Sequence, residues 1–562
     1  MILRLIGHSV MSQMELTSKF NLITYSDCEI TGRLSKNEKV LLTIVNPSSM
    51  TRTNEVVRVK VPPGVAVKVE DVWNESSELL SDLFCSKKYT YEGYIDDCDL
   101  YILVPSINAL STRSMVLSEG EKKPVQKSAN SDGYTDFMIS YNSTSDSEIR
   151  LDYGRCYKTD CESHRIFVDY RYYQSYEGDG QKSGLYIFRD QDAGASSKPY
   201  NKLSEWDHLL GDVVSILDVK GDTVDVRILI NNHSPVQTAT VVSRVKGIEG
   251  EHGKEVTVKF TTLEVDSDKF YTDSNGMIME ERILNHRNSY PLTNLTGYEV
   301  VSNFYPVNSA LTLRSEDASN QQFTILNDRA QSASSLKSGE IEFLIDRRTY
   351  FDDDRGVEEP LNETTSDGKS IIVETYHHII SASVDELRNK DYMETKRLQR
   401  TLVEEPLQTL FSVLNKDISD DFVSFEKVGN LKYIGSLPPS VKVVTKVMNP
   451  VKIMVRLYNM NEAFDGFDSF VDVDLSGVIA DLAELREQSG HNVAFKITEW
   501  NLSLNQEVGK SKNVNWSFKN GKAIFNGQKE TEKAESIIHL DNQDMRSFII
   551  EFEQDQQIQT KE

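Results

Sequence analysis

A chain of 562 residues with 38% hydrophobic residues and a net charge of -25 has room for about three to four domains of ~150 residues and lies far from the disordered regime. Its surplus of Asp and Glu repels phosphate backbones and anionic lipid, which argues against nucleic-acid and membrane partners. No apolar stretch approaches the ~20 residues that span a bilayer, and the opening Met1-Ile2-Leu3-Arg4-Leu5-Ile6-Gly7-His8 is too short in apolar residues for a secretory signal, so the chain shows no targeting signal.

Strand signals come first along the chain. Val57, Val59 and Val61 alternate with Arg58 and Lys60, Pro62-Pro63-Gly64 turns the chain, and Val65, Val67 and Val69 alternate again, which predicts two strands around a turn. A polar stretch from Gly120 to Gly133 predicts a linker. The period of two returns in Val224, Val226, Ile228 and Ile230, and again in Val256, Val258 and Phe260. These are half-buried antiparallel strands. A helix is expected from Ser383 to about Leu398, opened by a capping box of Ser383 and Glu386. The alternating run Val441, Val443, Thr445 and Val447 starts a further β unit, followed by a short helix over Gly477 to Arg486 with Ile479, Leu482 and Leu485 on one face.

The fold class is therefore mostly β, a multi-domain antiparallel β-sandwich protein with few short helices. Its expected divisions are an N-terminal segment at 1–25, a small β-sandwich at 26–120, a linker at 121–139, a large β domain at 140–430, a second small sandwich at 431–556 and a tail at 557–562.

Cysteine usage and sequons bear on the compartment. Cys85 and Cys98 flank an expected hairpin, Cys156 and Cys161 could close a small loop, and Cys28 is left over. Five free or buried thiols in a cytosolic protein fit the same spacings. Asn-x-Ser/Thr sequons stand at Asn74, Asn142, Asn232, Asn294, Asn362, Asn501 and Asn515, an excess over chance that favours secretion.

The densest words lie in the middle of the chain. They are Phe270-Tyr271-Thr272-Asp273-Ser274-Asn275-Gly276, Asn303-Phe304-Tyr305-Pro306-Val307-Asn308, Asp328-Arg329-Ala330-Gln331 with Ser334-Ser335-Leu336, and Asp346-Arg347-Arg348 leading to Asp352-Asp353-Asp354-Arg355-Gly356 and Glu359-Pro360-Leu361-Asn362-Glu363-Thr364. In this order and spacing they resemble glycoside hydrolase family 38, the retaining α-mannosidases, and within it the lysosomal type. Asn46-Pro47, Ser183-Gly184-Leu185-Tyr186-Ile187-Phe188-Arg189, Gly253-Lys254-Glu255-Val256, Pro438-Pro439-Ser440-Val441 and Asp544-Met545-Arg546-Ser547-Phe548 extend the resemblance over residues 40 to 552. It covers the C-terminal, β-rich half of the family.

The resemblance implies a β-supersandwich of galactose-mutarotase-like type for the large domain. It also implies zinc in the complete family enzyme, held by a His-x-Asp pair, a further Asp and a later His, with one Asp ligand acting as nucleophile. Those residues belong to a part before Asn46, so this chain is expected to carry no catalytic residue, to hold no metal or cofactor, and to be inactive alone. His539-Leu540-Asp541 is expected in an exposed turn, and the adjacent His377 and His378 would face opposite sides of a strand.

Tyr305 is the candidate substrate-binding residue, because the family's tyrosine in this word reaches toward the mannose. A phenol offers the sugar an apolar face and a hydroxyl that both donates and accepts. The competing role is a core tyrosine before Pro306. The run Asp352 to Asp354 invites a calcium or catalytic-dyad reading, yet such runs are ordinarily solvated loops. Asp353 and Asp354 with Arg355 are expected to form a structural ion-pair network in which Arg355 forks onto a carboxylate. Asp328-Arg329 and Ser334-Ser335 are expected as buried scaffold. Relatives place two glycines where Ser332 and Ala333 stand, which puts that turn's geometry in question.

Two readings follow. In one, the chain is the C-terminal portion of an α-mannosidase acting on mannose-containing glycans in the lysosome, vacuole or secretory pathway. Its partner is then an N-terminal α/β catalytic domain, and a homo-oligomer is possible. In the other, it is a standalone non-catalytic β protein that binds glycans or another protein.

Overall fold

The computed structural model describes residues 22–23, 30–73, 77–121, 137–192, 197–289, 297–315, 319–414, 431–488, 494–529 and 537–553, apart from gaps of one or two residues within those ranges. The polar stretch expected as a linker falls largely outside them.

The first unit is a sandwich of two antiparallel sheets. One has six strands, in the order Leu22–Ile23, Gln408–Leu414, Lys39–Val45, Thr112–Glu119, Val67–Asp71 and Ser77–Glu78. The other has three, Arg52–Val61, Gly93–Ile107 and Ser81–Thr90. The inward positions of each strand, among them Leu42, Val59, Val69, Leu100, Ile102, Leu117 and Phe411, close one apolar core. The turn at Pro62-Pro63-Gly64 does not join a hairpin, because Arg52–Val61 and Val67–Asp71 lie in different sheets. Proline removes the ladder donors that a hairpin turn would use, so the chain crosses the core there. The strand Gln408–Leu414 pairs with Lys39–Val45 although the sequence reading places it in the large domain, and Leu22–Ile23 joins the same sheet. Cys85 and Cys98 stand directly opposite each other in their hairpin and form a disulfide. Cys156 and Cys161 are also cross-strand partners.

The large unit packs two bigger antiparallel sheets face to face. In one, Tyr305–Val307 forms an edge, followed by Gln331–Ser334, Glu340–Arg348, Lys254–Thr262, Asp160–Gln174, Glu148–Tyr157 and Phe137–Ser145. The other has nine strands running from Leu203–Leu210 to Met279–Ile283, with Val224–Asn231, Thr238–Val245 and Val373–Ser383 near its middle. Val256, Val258 and Phe260 from the first sheet and Val224, Val226, Ile228 and Ile230 from the second meet in the largest core of the molecule. At roughly 25 cal/mol per Å² of apolar area, such a layer is the main source of stability.

The helix expected over Ser383 to Leu398 is interrupted. The capping box of Ser383 and Glu386 forms, yet the helix ends at Leu387, and Arg388–Asn389 pairs with Tyr392–Met393 before a second helix, Glu394–Leu398, and a π-helical turn, Gln399–Glu404. Asn389 favours a turn over helix continuation, and the capping signal says only where a helix starts. The last unit pairs Val441–Asn449, Lys452–Asn459, Met545–Phe552 and Phe495–Trp500, and is covered by the helix Leu475–Gln488, whose Val478, Ile479 and Leu482 are buried. No described helix is long and apolar enough to cross a membrane.

Candidate functional site

Four of the words that carry the resemblance meet at one side of the sheet that Tyr305–Val307 edges. Glu255 and Arg347 are cross-strand partners on neighbouring strands, and the guanidinium donates from Nε to the fully buried carboxylate. Ser175 and Ser183 donate their hydroxyls to the same Glu255. Arg347 then reaches across the loop Ser183 to Arg189, giving Nη2 bonds to the carbonyls of Gly184 at 2.7 Å and Ile187 at 2.9 Å. Charge-assisted bonds of this kind are about twice as strong as neutral ones.

Asp353 holds the same loop from the other side. Its Oδ2 accepts the backbone N–H groups of Tyr186 at 2.6 Å and Ile187 at 2.9 Å, and the residue is wholly buried. A Cβ at position 184 would lie 2.7 Å from the Asp353 Cβ, so glycine there is required by close approach. Phe188 packs edge-on against Phe304 at 5.2 Å and Tyr173 at 5.6 Å, which ties the loop to the Asn303–Asn308 word. Arg189 lies over Tyr176 at 3.6 Å and Tyr298 at 5.3 Å. The outcome is a fixed platform that presents Leu185, Tyr186 and Phe351 to solvent, with Tyr186 66% exposed.

Tyr305 sits beside this platform and is itself buried at 7% exposure, edge-on to Phe270 at 5.6 Å. Its ring lies between two guanidinium groups, Arg282 at 4.6 Å and Arg287 at 4.4 Å, and Arg287 Nη1 donates to its hydroxyl. Core packing and a polar rim thus coexist at this residue. Any ligand that takes the Tyr305 hydroxyl must share it with Arg287.

The acidic run divides sharply. Asp353 is buried, whereas Asp354 is exposed in the left-handed region at φ 54° and its N–H bonds Asp352 Oδ2 at 2.8 Å. That backbone conformation suits glycine or asparagine better than most residues. The expected ion-pair network is corrected: Arg355 is exposed and no carboxylate pairs with it among the described residues. Backbone N–H groups, not Arg355, hold Asp353 through Oδ2, and its buried Oδ1 has no partner among the described residues.

Other expectations need correction too. Asp328 and Arg329 pair with each other at 2.6 Å, but the Arg329 side chain is half exposed, so this is a surface pair and not buried scaffold. Ser334 and Ser335 are buried. Gln331–Ser334 is an extended strand with Ala333 opposite Tyr305 and Phe343. No turn needing glycine exists there, and Ser332 and Ala333 fit without strain. His539 lies on the strand Ile537–Leu540, not in a turn, with Nδ1 2.9 Å from Asp472 Oδ1.

His377 and His378 occupy the strand Val373–Ser383 and are both buried. Burial pushes them down to about 3 and about 4, keeping each neutral. His377 Nε2 contacts Gln331 Oε1 at 3.0 Å and His378 Nδ1 contacts Thr240 Oγ1 at 2.9 Å. Among the described residues no group of three or more His, Cys, Asp or Glu could hold a metal ion. The described residues therefore offer no ligand set that fits the zinc implied by the resemblance.

The Glu255–Arg347 pair was missed at the sequence level. Both residues lie in words carried by the resemblance, but their pairing depends on strand register, which no local pattern reveals.

Residues 159–355 match the family described as Glycosyl hydrolases family 38 C-terminal domain, and this range contains the platform and Tyr305. Over that range the chain is similar to the C-terminal domain of family 38. It is 26% identical to the lysosomal alpha-mannosidase of Dictyostelium discoideum over 94% of its own length and 52% of that protein. It is 30% identical to the lysosomal alpha-mannosidase of Bos taurus over 54% of its own length and 28% of that protein. A solved glycosyl hydrolase family 38 protein from Enterococcus faecalis aligns with 75% of this chain and 52% of its own at a TM-score of 0.44 and 11% identity. The chain spans about half the length, or less, of these curated relatives.

Proposed function

We propose that this chain acts as the β-rich portion of a retaining α-mannosidase on mannose-containing glycans, working with an α/β catalytic domain that docks beside Tyr305. The observation that carries this reading is the convergence of the family's words on one rigid, solvent-facing platform with aromatic and aliphatic side chains. Burial of a contiguous apolar patch of this kind favours a protein neighbour. The mannosidase relatives supply the substrate class and favour the lysosome or secretory pathway, with which the Cys85–Cys98 disulfide agrees.

In this reading Asp353 and Arg347 hold the platform in one conformation, and Tyr305 contributes a phenol to the sugar-binding wall. The deciding assay is hydrolysis of a chromogenic α-mannoside with zinc, run on the 562-residue chain alone and with the catalytic half of a family 38 α-mannosidase supplied in trans. Turnover is expected only in the mixture, and Tyr186→Glu is expected to weaken association. Turnover by the chain alone would overturn the division of labour, and glycan binding without association would favour a standalone binding protein. In the active assembly, Tyr305→Phe is expected to lower kcat/KM by the ~0.5–1.5 kcal/mol of one neutral hydrogen bond.

A further inference from the structure

Apart from the platform residues, the three-stranded sheet of the first sandwich lies against the nine-stranded sheet and encloses a half-open cavity of about 50 Å³. Six cationic side chains and four carboxylates line it, in a chain whose overall charge is -25. The carboxylates already have partners. Asp218 takes a two-pronged bond from Arg227 at 2.6 and 2.9 Å. Glu374 accepts from Arg244 Nη1 and from the Tyr376 hydroxyl, both at 2.8 Å. Asp97 is bonded by Lys60, and Asp225 is held by Lys246 at 2.9 Å, with Lys220 3.7 Å away. Behind the wall, the buried Asp99 is shared by Arg58 at 2.8 Å and Arg227 at 2.7 Å.

Three cationic donors at the cavity are not used up in this way. Arg58 bonds protein through Nε and Nη1, and Arg244 does so through Nε and Nη1, leaving each Nη2 without a protein partner. Lys88 is half-buried on the strand Ser81–Thr90, and no carboxylate or carbonyl takes its ammonium among the described residues. None of the three nitrogens is a buried orphan, so all reach the solvent of the cavity. They come from three strands, two in one sheet and one in the other.

We propose that this cavity binds a small oxyanion of the phosphate class, held by Lys88 Nζ and by the free Nη2 groups of Arg58 and Arg244. Converging cationic donors favour a tetrahedral oxyanion, which presents several acceptor oxygens to a narrow site. A volume of about 50 Å³ has room for a few water-sized centres. It therefore admits the oxyanion head and leaves any attached group outside. An occupant would join the two sheets through charges that neither can neutralise alone.

The test is titration calorimetry of the full chain with inorganic phosphate at constant ionic strength, alongside Lys88→Glu and Lys88→Arg. Lys88 makes no hydrogen bond to protein but attracts Glu374 across the cavity, so unliganded Lys88→Arg is expected to melt with wild type and Lys88→Glu somewhat lower. Phosphate binding should fall by about tenfold or more in Lys88→Glu, the worth of one charge-assisted bond, and survive in Lys88→Arg. A sugar phosphate monoester that binds as tightly as inorganic phosphate would identify the oxyanion as the whole determinant, and tighter binding would identify an ester as the occupant. Equal affinity in wild type and Lys88→Glu, or heats no larger than those of chloride, would overturn the proposal.

Discussion

Asp353 and Arg400 are both fully buried charges, and the molecule satisfies them in different ways. Asp353 is answered locally, by two backbone N–H groups of one loop. Arg400 is answered from several chain segments: Glu405, the carbonyls of Pro439 and Val441 at 3.0 and 3.2 Å, and the Ser49 hydroxyl. Ser49 belongs to the first sandwich and Val441 to the last, so one side chain links units far apart in sequence. The first arrangement shapes a surface, and the second fixes how the units stand to one another.

Breaking the junction should have the largest effect. Arg400→Met takes the guanidinium from the part-buried Glu405, which keeps only Lys442 at 3.8 Å, and from the carbonyls of Pro439 and Val441, and losing one side of a buried pair is worth about 3–5 kcal/mol. Thermal unfolding should show a large drop, with the units melting apart. A variant that melts as one transition near the wild-type temperature would reduce Arg400 to ordinary packing.

The same junction should respond to pH. Asp465 is buried near Glu462, Lys396, Arg314 and Arg388, and burial, with repulsion from Glu462, pushes it up to about 6 against the pull of the three cations. A carboxyl raised in the folded state binds its proton more tightly there than when unfolded. Its stabilising contribution is therefore full below the unfolded value near 4 and is lost as pH rises through about 6. The loss approaches ~3 kcal/mol at 1.36 kcal/mol per unit. Relative to wild type, Asp465→Asn should therefore gain stability as pH rises from 4 to 7. The buried, neutral His377 and His378 slope the whole curve the other way, so the test is the difference between variant and wild type: a difference that does not grow with pH would contradict the assignment.

At the platform the expected effect is smaller and confined. Asp353→Ala removes a charged acceptor from two part-buried N–H groups, worth about 1.5–3 kcal/mol. Amide exchange at Tyr186 and Ile187 should speed up while the core strands near Phe260 keep their protection. Uniform loss of protection would show that the loop and core unfold together.

Much of the strand content was legible because period-two alternation reports the burial that builds these sheets: Val224 to Ile230 and Val256 to Phe260 both enter the main core. What alternation cannot report is pairing. The Pro62-Pro63-Gly64 turn has hairpin chemistry yet crosses between sheets, and Gln408–Leu414 returns across hundreds of residues to Lys39–Val45. The site shows the same division. The words gave the residues of the platform through resemblance, but Glu255 meets Arg347 and Gly184 meets Asp353 only through register and close approach. Arg355 was expected to pair because it stands beside acids in sequence, and its neighbour's carboxylate instead turned inward to the backbone.

Asp354 supplies the finest comparison, since it adjoins Asp353 and shares its chemistry but not its surroundings. It is exposed, holds φ at 54° and uses its own N–H to reach Asp352. Left-handed backbone costs a β-carbon roughly 1 kcal/mol, less for Asp than for most residues. Asp354→Gly removes that cost and a charge beside Asp352 and Asp353, although glycine's freer unfolded chain offsets part of the gain. The expected result is a rise of about 0.5 kcal/mol, with Asp354→Ala falling by a similar amount because alanine keeps the strain. Chemical denaturation of the two variants beside wild type measures both. Equal stability of the glycine and alanine variants would mean that backbone strain is not what distinguishes this position, and that charge alone separates it from Asp353.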